Sequence, residues 1–175
     1  MVNSSIRGIR KENLSKFAVV FKSLDKQSTN QSLTLKSVAE TIALGETLIQ
    51  EKPHIRLLLI EGPLGAGKTT LVKGIGKSLG IREPITSPTF PLAQHYKEGS
   101  PPLIHIDLYR LENKLDANEL FFQEEEEAKS MGALMIVEWP ERLDISLEEA
   151  WKIKLKVNKK GVRLAQVIEP KEAKS

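Results

Sequence analysis

Gly62-Pro63-Leu64-Gly65-Ala66-Gly67-Lys68-Thr69 constrains this chain more tightly than any other feature in it. The segment matches G-x-x-x-x-G-K-[ST], and its surroundings are the ones that motif requires. Upstream, Ile55, Leu57, Leu58, Leu59 and Ile60 form a nearly continuous apolar run, the composition of a strand buried on both faces. Downstream, Lys68 to Leu79 reads as a helix that Gly80 closes in the C′ position. With glycine near 7% of residues, a random chain of this length carries the pattern on the order of once in a hundred or less. Glycines let the backbone curl so that several N–H groups point at one set of phosphate oxygens. The helix adds its positive N-terminus to the same anion. Lys68 supplies a compact charge for β- and γ-phosphates, and the Thr69 hydroxyl is a magnesium ligand.

The rest of the chain fits a fold that can carry such a loop. Its 175 residues make one domain, and 40% hydrophobic with 28% charged residues reads as globular. There is no cysteine, which excludes disulfides, thiolate metal sites and cysteine nucleophiles. No apolar run reaches the roughly 20 residues that cross a membrane, so a cytoplasmic, non-membrane protein is expected. Val38, Thr41, Ile42, Gly45, Leu48 and Ile49 recur at helical spacing. Leu103 to Tyr109 and Ala133 to Val137 read as strands, and Leu115 to Ser130 as a helix with an acidic flank. Trp151 to Val157 alternates Ile153, Leu155 and Val157 with lysines, a strand with one wet face. Val162 to Ile168 pairs with it across Asn158 to Gly161. The expectation is an α/β three-layer fold around a mainly parallel sheet, with a C-terminal antiparallel hairpin. Residues 1–31 read as a flexible N-terminal extension, 32–170 as the nucleotide-binding domain and 171–175 as a polar tail.

Charge is segregated. Residues 1–37 hold seven Lys/Arg against two Asp/Glu, residues 112–127 one against seven, and residues 152–175 eight against two. Basic ends suit acidic partners, but solvated faces and tails are the commoner meaning of such runs.

A phosphate loop needs a second acid for the metal and a group that places the attacking water. Glu138 ends the run Ala133 to Val137, and Asp107 ends Leu103 to Ile106. Carboxylates at the C-terminal ends of buried strands open onto the ligand crevice of such sheets. Ser87-Pro88-Thr89-Phe90 occupies the place of a mobile switch segment. Asn113-Lys114-Leu115-Asp116 matches a guanine-reading N-K-x-D, but it precedes Glu138 and follows a segment without glycine. It reads as a helix start with Asn113 or Asp116 as the cap.

Five segments together resemble the TsaE (YjeE) family, the small bacterial P-loop ATPases of tRNA threonylcarbamoyladenosine biosynthesis. They are Thr41 to Gly45, Gly62 to Thr70 (GPLGAGKTT), Ser87 to Phe90 (SPTF), His105 to Leu111 (HIDLYRL) and Val137 to Arg142 (VEWPER). The resemblance implies ATP and Mg2+ as cofactors and Asp107, Lys68 and Glu138 as the catalytic set. Gly62, Leu64, Gly65, Ala66, Gly67, Lys68, Thr69 and Thr70 would hold the triphosphate, and Thr69 and Glu138 the magnesium. Ser87 to Phe90 would be the switch, with Thr89 at the nucleotide. Trp139 would neighbour the nucleotide, and Thr41 and Arg163 would reach it from the flanking segments. The implied partners are protein subunits of the threonylcarbamoyl-transferase complex, of TsaD and TsaB type, with tRNA linked indirectly. Aromatics are only 5% of the chain, and no basic stretch interleaves with them to stack bases. Two other functions share the loop: a small-molecule kinase and a nucleotide-dependent interaction module without turnover. The kinase is disfavoured because only Arg82 and Arg110 lie between Gly80 and Met131, too few for a phosphoryl-clamping lid.

Overall fold

A computed structural model describes residues 11, 12, 14–21, 30–88 and 90–170. Seven strands form one sheet: β1 (Asn30–Leu35), β2 (Leu57–Glu61), β3 (Ala93–Tyr96), β4 (Leu103–Asp107), β5 (Leu134–Glu138), β6 (Trp151–Val157) and β7 (Arg163–Ile168). Their order is β1-β7-β6-β2-β5-β4-β3. The centre is parallel, because β2 pairs with β5 and β6, and β4 with β5, in parallel. Both flanks are antiparallel: β6 with β7, β7 with β1, and β4 with β3. This is the expected three-layer fold with a parallel centre and a C-terminal hairpin. The sequence reading did not include β1 or β3, the two edge strands.

Period-two alternation divides the core into two layers. Leu58 and Ile60 of β2, Leu134 and Ile136 of β5 and Leu103 of β4 face one side. Leu59, Met135, Val137, Ile104 and Ile106 face the other. Helices α1 (Val38–Glu51) and α2 (Lys68–Ser78) cover the first side. Helix α3 (Lys114–Met131) covers the second through Ala117, Phe121 and Ala128. Asp107 and His105 share parity with Leu103, and Glu138 with Ile136, so all three project toward α2 and its loop. In β6, Trp151, Ile153 and Leu155 are buried while the intervening lysines are not, as the alternation predicts, but Val157 at the strand end, expected on the same face, is 43% exposed.

Local chemistry sets the helix ends. Ser37 Oγ accepts from the Glu40 N–H at 3.1 Å, and Glu40 Oε2 accepts from the Lys36 N–H at 2.9 Å, a near-complete capping box. Val38, expected on the buried face, is 56% exposed because it sits in this first turn, outside the groove against α2. Asn113 caps α3, its Oδ1 accepting from the Leu115 N–H at 2.9 Å, so the N-K-x-D segment is a helix start. Helices α1 and α2 touch through glycines. A Cβ on Gly74 would lie 2.1 Å from the Ile42 carbonyl oxygen, and one on Gly45 would lie 2.4 Å from that of Leu71. Alanine at Gly74 adds roughly 1 kcal/mol of helix propensity. It must also force two backbones apart, an overpacking cost of about 1–3 kcal/mol. Gly74→Ala is therefore expected to lower the chemical-denaturation midpoint without changing its slope.

The stretch 1–31, expected as a flexible extension, departs from that reading where it is described. Residues 11, 12 and 14–21 are helical, and Phe17 and Phe21 are fully buried in the core beneath α1. Leu14, Phe17 and Phe21 are spaced three and four apart and so share one face. Each buried phenylalanine contributes about 1.5–3 kcal/mol, enough to dock a short helix. Strand β1 also begins at Asn30, just ahead of the boundary expected at 32. The expected tail, 171–175, lies outside the described residues.

Candidate nucleotide site

The loop between β2 and α2 is built by positive backbone dihedrals. Gly65 has φ 76° and Gly67, the residue that opens α2, has φ 102°. Side chains rarely adopt such angles, which explains glycine at both positions. Gly62 is needed for a second reason: a Cβ there would lie 2.6 Å from the Leu155 carbonyl oxygen. The loop is thus pressed against β6, and α2 starts directly beneath it.

Lys68 curls back over its own loop. Its Nζ donates to the carbonyls of Gly62 at 2.7 Å and Pro63 at 3.1 Å and lies 4.0 Å from the Trp139 ring centroid. Burial holds its ammonium below the usual lysine range, with the carboxylates of Glu138, Asp107 and Glu141 pulling the other way. A lysine short of hydration is one that an entering polyphosphate would satisfy.

Thr69 Oγ1 donates to Glu138 Oε1 at 3.0 Å, and His105 Nε2 lies 2.9 Å from that same oxygen. Next to them, Asp107 Oδ2 accepts from Ser87 Oγ at 2.6 Å and Oδ1 from the Tyr109 N–H at 3.0 Å. The Asp107 carboxylate is thereby fixed between the Ser87 segment and the end of β4. Trp139 follows Glu138 with φ 61°, a left-handed conformation that is uncommon outside glycine. That turn presents its ring both to Lys68 and to Tyr109, whose centroid is 4.9 Å away.

Lys68, Thr69, Ser87, Asp107, Tyr109, Glu138 and Trp139 line one cavity of about 280 Å3, together with Leu64, Gly65, Gly67, Thr70 and Arg163, whereas His105 stays outside its lining. Arg163 enters from β7: its Nε would lie 3.5 Å from a Cβ on Gly67. Of the residues singled out in the sequence, Gly62 and Ala66 shape the loop without lining the cavity. Thr41 is buried and its hydroxyl donates to the Ser37 carbonyl at 3.3 Å, so only its methyl approaches Gly67. Thr89 lies outside the described residues. Tyr109 and His105, both within HIDLYRL, join the site from outside the set of residues to which the sequence assigns a role. Their signal was strand parity, since His105 is two residues before Asp107 and shares its face. A larger cleft, about 820 Å3, opens at the other end of the sheet around Lys52, Arg56 and Trp151. There Lys52 is already paired with Glu169 at 3.3 Å, and the lining residues include no part of the phosphate loop.

The donor set fits magnesium. Thr69 and Glu138 offer one hydroxyl and one carboxylate, and no cluster of three His, Cys, Asp or Glu occurs among the described residues. Mg2+ is commonly held by one or two protein oxygens, with phosphates and water completing its octahedron.

The family model described as "Threonylcarbamoyl adenosine biosynthesis protein TsaE" matches residues 35–165. A Synechocystis protein named tRNA threonylcarbamoyladenosine biosynthesis protein TsaE is 45% identical over 100 residues, spanning 57% of this chain and 63% of that protein. The Nostoc protein of the same name is 43% identical over 129 residues, covering 72% of this chain and 75% of its own length. The crystal structure of Bacillus subtilis YdiB superposes with a TM-score of 0.61 at 27% identity, covering 81% of this chain and 86% of that one. The matched region runs from the end of β1 into β7 and so contains the loop, both strand-end acids and Arg163; the chain belongs to the TsaE family of threonylcarbamoyl adenosine biosynthesis proteins.

Proposed function

We propose that this chain binds ATP with Mg2+ and hydrolyses it as an accessory protein of tRNA threonylcarbamoyladenosine modification. In this reading it acts with protein subunits of the TsaD and TsaB type, in the cytoplasm, and tRNA is engaged through those partners. The observation that carries it is the convergence of Lys68, Thr69, Glu138 and Asp107 on one cavity at the C-terminal ends of the parallel strands. Family membership supports the pathway. Among the described residues no helix is long and apolar enough to cross a membrane.

The residues divide the work. Loop N–H groups, the α2 N-terminus and Lys68 bind the β- and γ-phosphates. Thr69 and Glu138 hold the metal, which when bound neutralises charge on those phosphates. Asp107, fixed by Ser87 and the Tyr109 N–H, orients the water that attacks the γ-phosphorus as the bond to the ADP oxygen breaks. Trp139 and Tyr109 wall the site.

The test separates metal holding from water placement. Glu138→Gln keeps the shape and loses the charge, so nucleotide binding should demand about tenfold more magnesium or worse. Asp107→Asn should leave that requirement within about threefold and cut phosphate release by at least a hundredfold, the usual weight of a positioned proton-accepting group. Titrations of ATP at graded magnesium, beside phosphate release, read both. Identical defects in the two variants would end this division of labour. Tight binding with no phosphate release under any condition, partners included, would replace the ATPase reading by that of an interaction module.

A further inference from the structure

We infer that His105 is a positioning residue for Glu138, holding the metal-binding carboxylate in one rotamer. The inference rests on the nucleotide reading above and adds a residue to it. His105 sits in the middle of β4, fully buried, and its Nε2 lies 2.9 Å from Glu138 Oε1. An ionised carboxylate only accepts, so the nitrogen facing it carries the hydrogen. The other ring nitrogen, Nδ1, is buried with no hydrogen-bond partner. A ring with one unpartnered polar atom in a strand core is a poor packing choice beside Leu103, Ile104 and Ile106. An apolar residue there would leave nothing unsatisfied. What histidine supplies that an apolar side chain cannot is the single contact to Glu138.

That contact has a defined effect. Glu138 Oε1 receives both Thr69 Oγ1 and His105 Nε2. Two donors from two elements, α2 and β4, fix the plane of the carboxylate. Thr69, as a metal ligand, would turn its oxygen toward the ion, and His105 then becomes the donor that keeps Glu138 from rotating. Groups that orient a metal ligand from behind typically weigh ten- to hundredfold in metal affinity. His105 is 0% exposed and lines no part of the cavity, so it acts through Glu138 and not on nucleotide.

The experiment compares full-length wild type, His105→Leu, His105→Gln, Glu138→Gln and the double variant His105→Leu/Glu138→Gln. Each is titrated with ATP at graded magnesium by calorimetry, and each is melted without nucleotide. His105→Leu should melt at or above the wild-type temperature yet need about ten- to hundredfold more magnesium for half-maximal ATP binding. His105→Gln, whose amide nitrogen reaches the same oxygen, should return to within about threefold. In the Glu138→Gln background, His105→Leu should add less than about twofold, since its target has already lost its charge. An unchanged magnesium requirement in His105→Leu overturns the proposal. So does full additivity in the double variant, or a Gln variant as impaired as Leu. If His105→Leu does not fold, a Gln variant that melts normally but shows the tenfold defect overturns it, and one with the wild-type requirement supports it. Wild type that binds no nucleotide at any magnesium concentration overturns the nucleotide reading, and this inference with it.

Discussion

Lys68→Ala should weaken ATP binding by about two orders of magnitude or more and leave the fold intact. Lys68 is the one cation planted inside the loop itself, and burial already holds its ammonium below the usual lysine range. Charge-assisted hydrogen bonds are worth about 1.5–3 kcal/mol each. Two of them to phosphate oxygens give about 3–6 kcal/mol, or roughly 10²–10⁴ in Kd. A cost opposes this: binding must first lift Nζ from the Gly62 and Pro63 carbonyls and from the Trp139 ring. That exchange places the expected loss at the lower end of the range. The same geometry predicts the control. An ammonium that folding under-solvates contributes little to stability, so the alanine variant should melt within a few degrees of wild type without nucleotide. Calorimetric titration with ATP and magnesium, beside thermal melts, decides the matter. Unchanged affinity would remove the loop from nucleotide binding altogether.

The loop, the strand before it and the helix after it were legible because each local signal pointed the same way. Glu138 and Asp107 were legible for a related reason: an acid that ends an apolar run is conspicuous. Three things were hidden, each by a different physical cause. Strand β1 is an edge strand paired with β7, and among its described side chains only Leu33 and Leu35 are core residues, too short an alternation to stand out. The short edge strand β3 follows a proline-punctuated stretch and is made by its pairing with β4. Phe17 and Phe21 bound an apolar stretch of five residues, too short to mark a helix, although their i, i+4 spacing places both on the core face. In the site, the family resemblance implied Thr41 as a nucleotide contact; its hydroxyl donates to the Ser37 carbonyl and its methyl approaches Gly67. The partnership of His105 with Glu138 needed the register of β4 against β5, which pairs Asp107 with Glu138. Nothing in either segment alone reports that register.

Hydrolysis by the isolated chain should be slow, and subunits of the TsaD and TsaB type should accelerate it. Fast P-loop hydrolysis commonly depends on an arginine that stabilises charge on the transferred phosphoryl group, an effect of roughly 10³–10⁵ in rate. Among the described arginines only Arg163 lines the cavity, and it approaches Gly67 at the start of α2. Arg110, just past Asp107, is exposed and outside the cavity lining. A missing cation is one that a partner supplies in trans. The acidic helix α3 offers a docking face whose members the structure sorts. Phe121 is buried, and Glu124 is buried against His95 at 2.6 Å, so neither is available. Phe122 is 50% exposed, and Glu126 and Glu127 are exposed beyond it. Glu126→Lys with Glu127→Lys therefore reverses charge without touching the core, and should lower partner affinity while leaving basal phosphate release unchanged. Phosphate release is measured for the chain alone, with the candidate subunits, and for Arg163→Ala under both conditions. Rapid turnover by the chain alone, lost in Arg163→Ala, would put the stabilising cation in cis and end the in-trans argument. Stimulation undiminished by the double reversal would move the docking face away from α3, and stimulation absent with every subunit would remove the partnership itself.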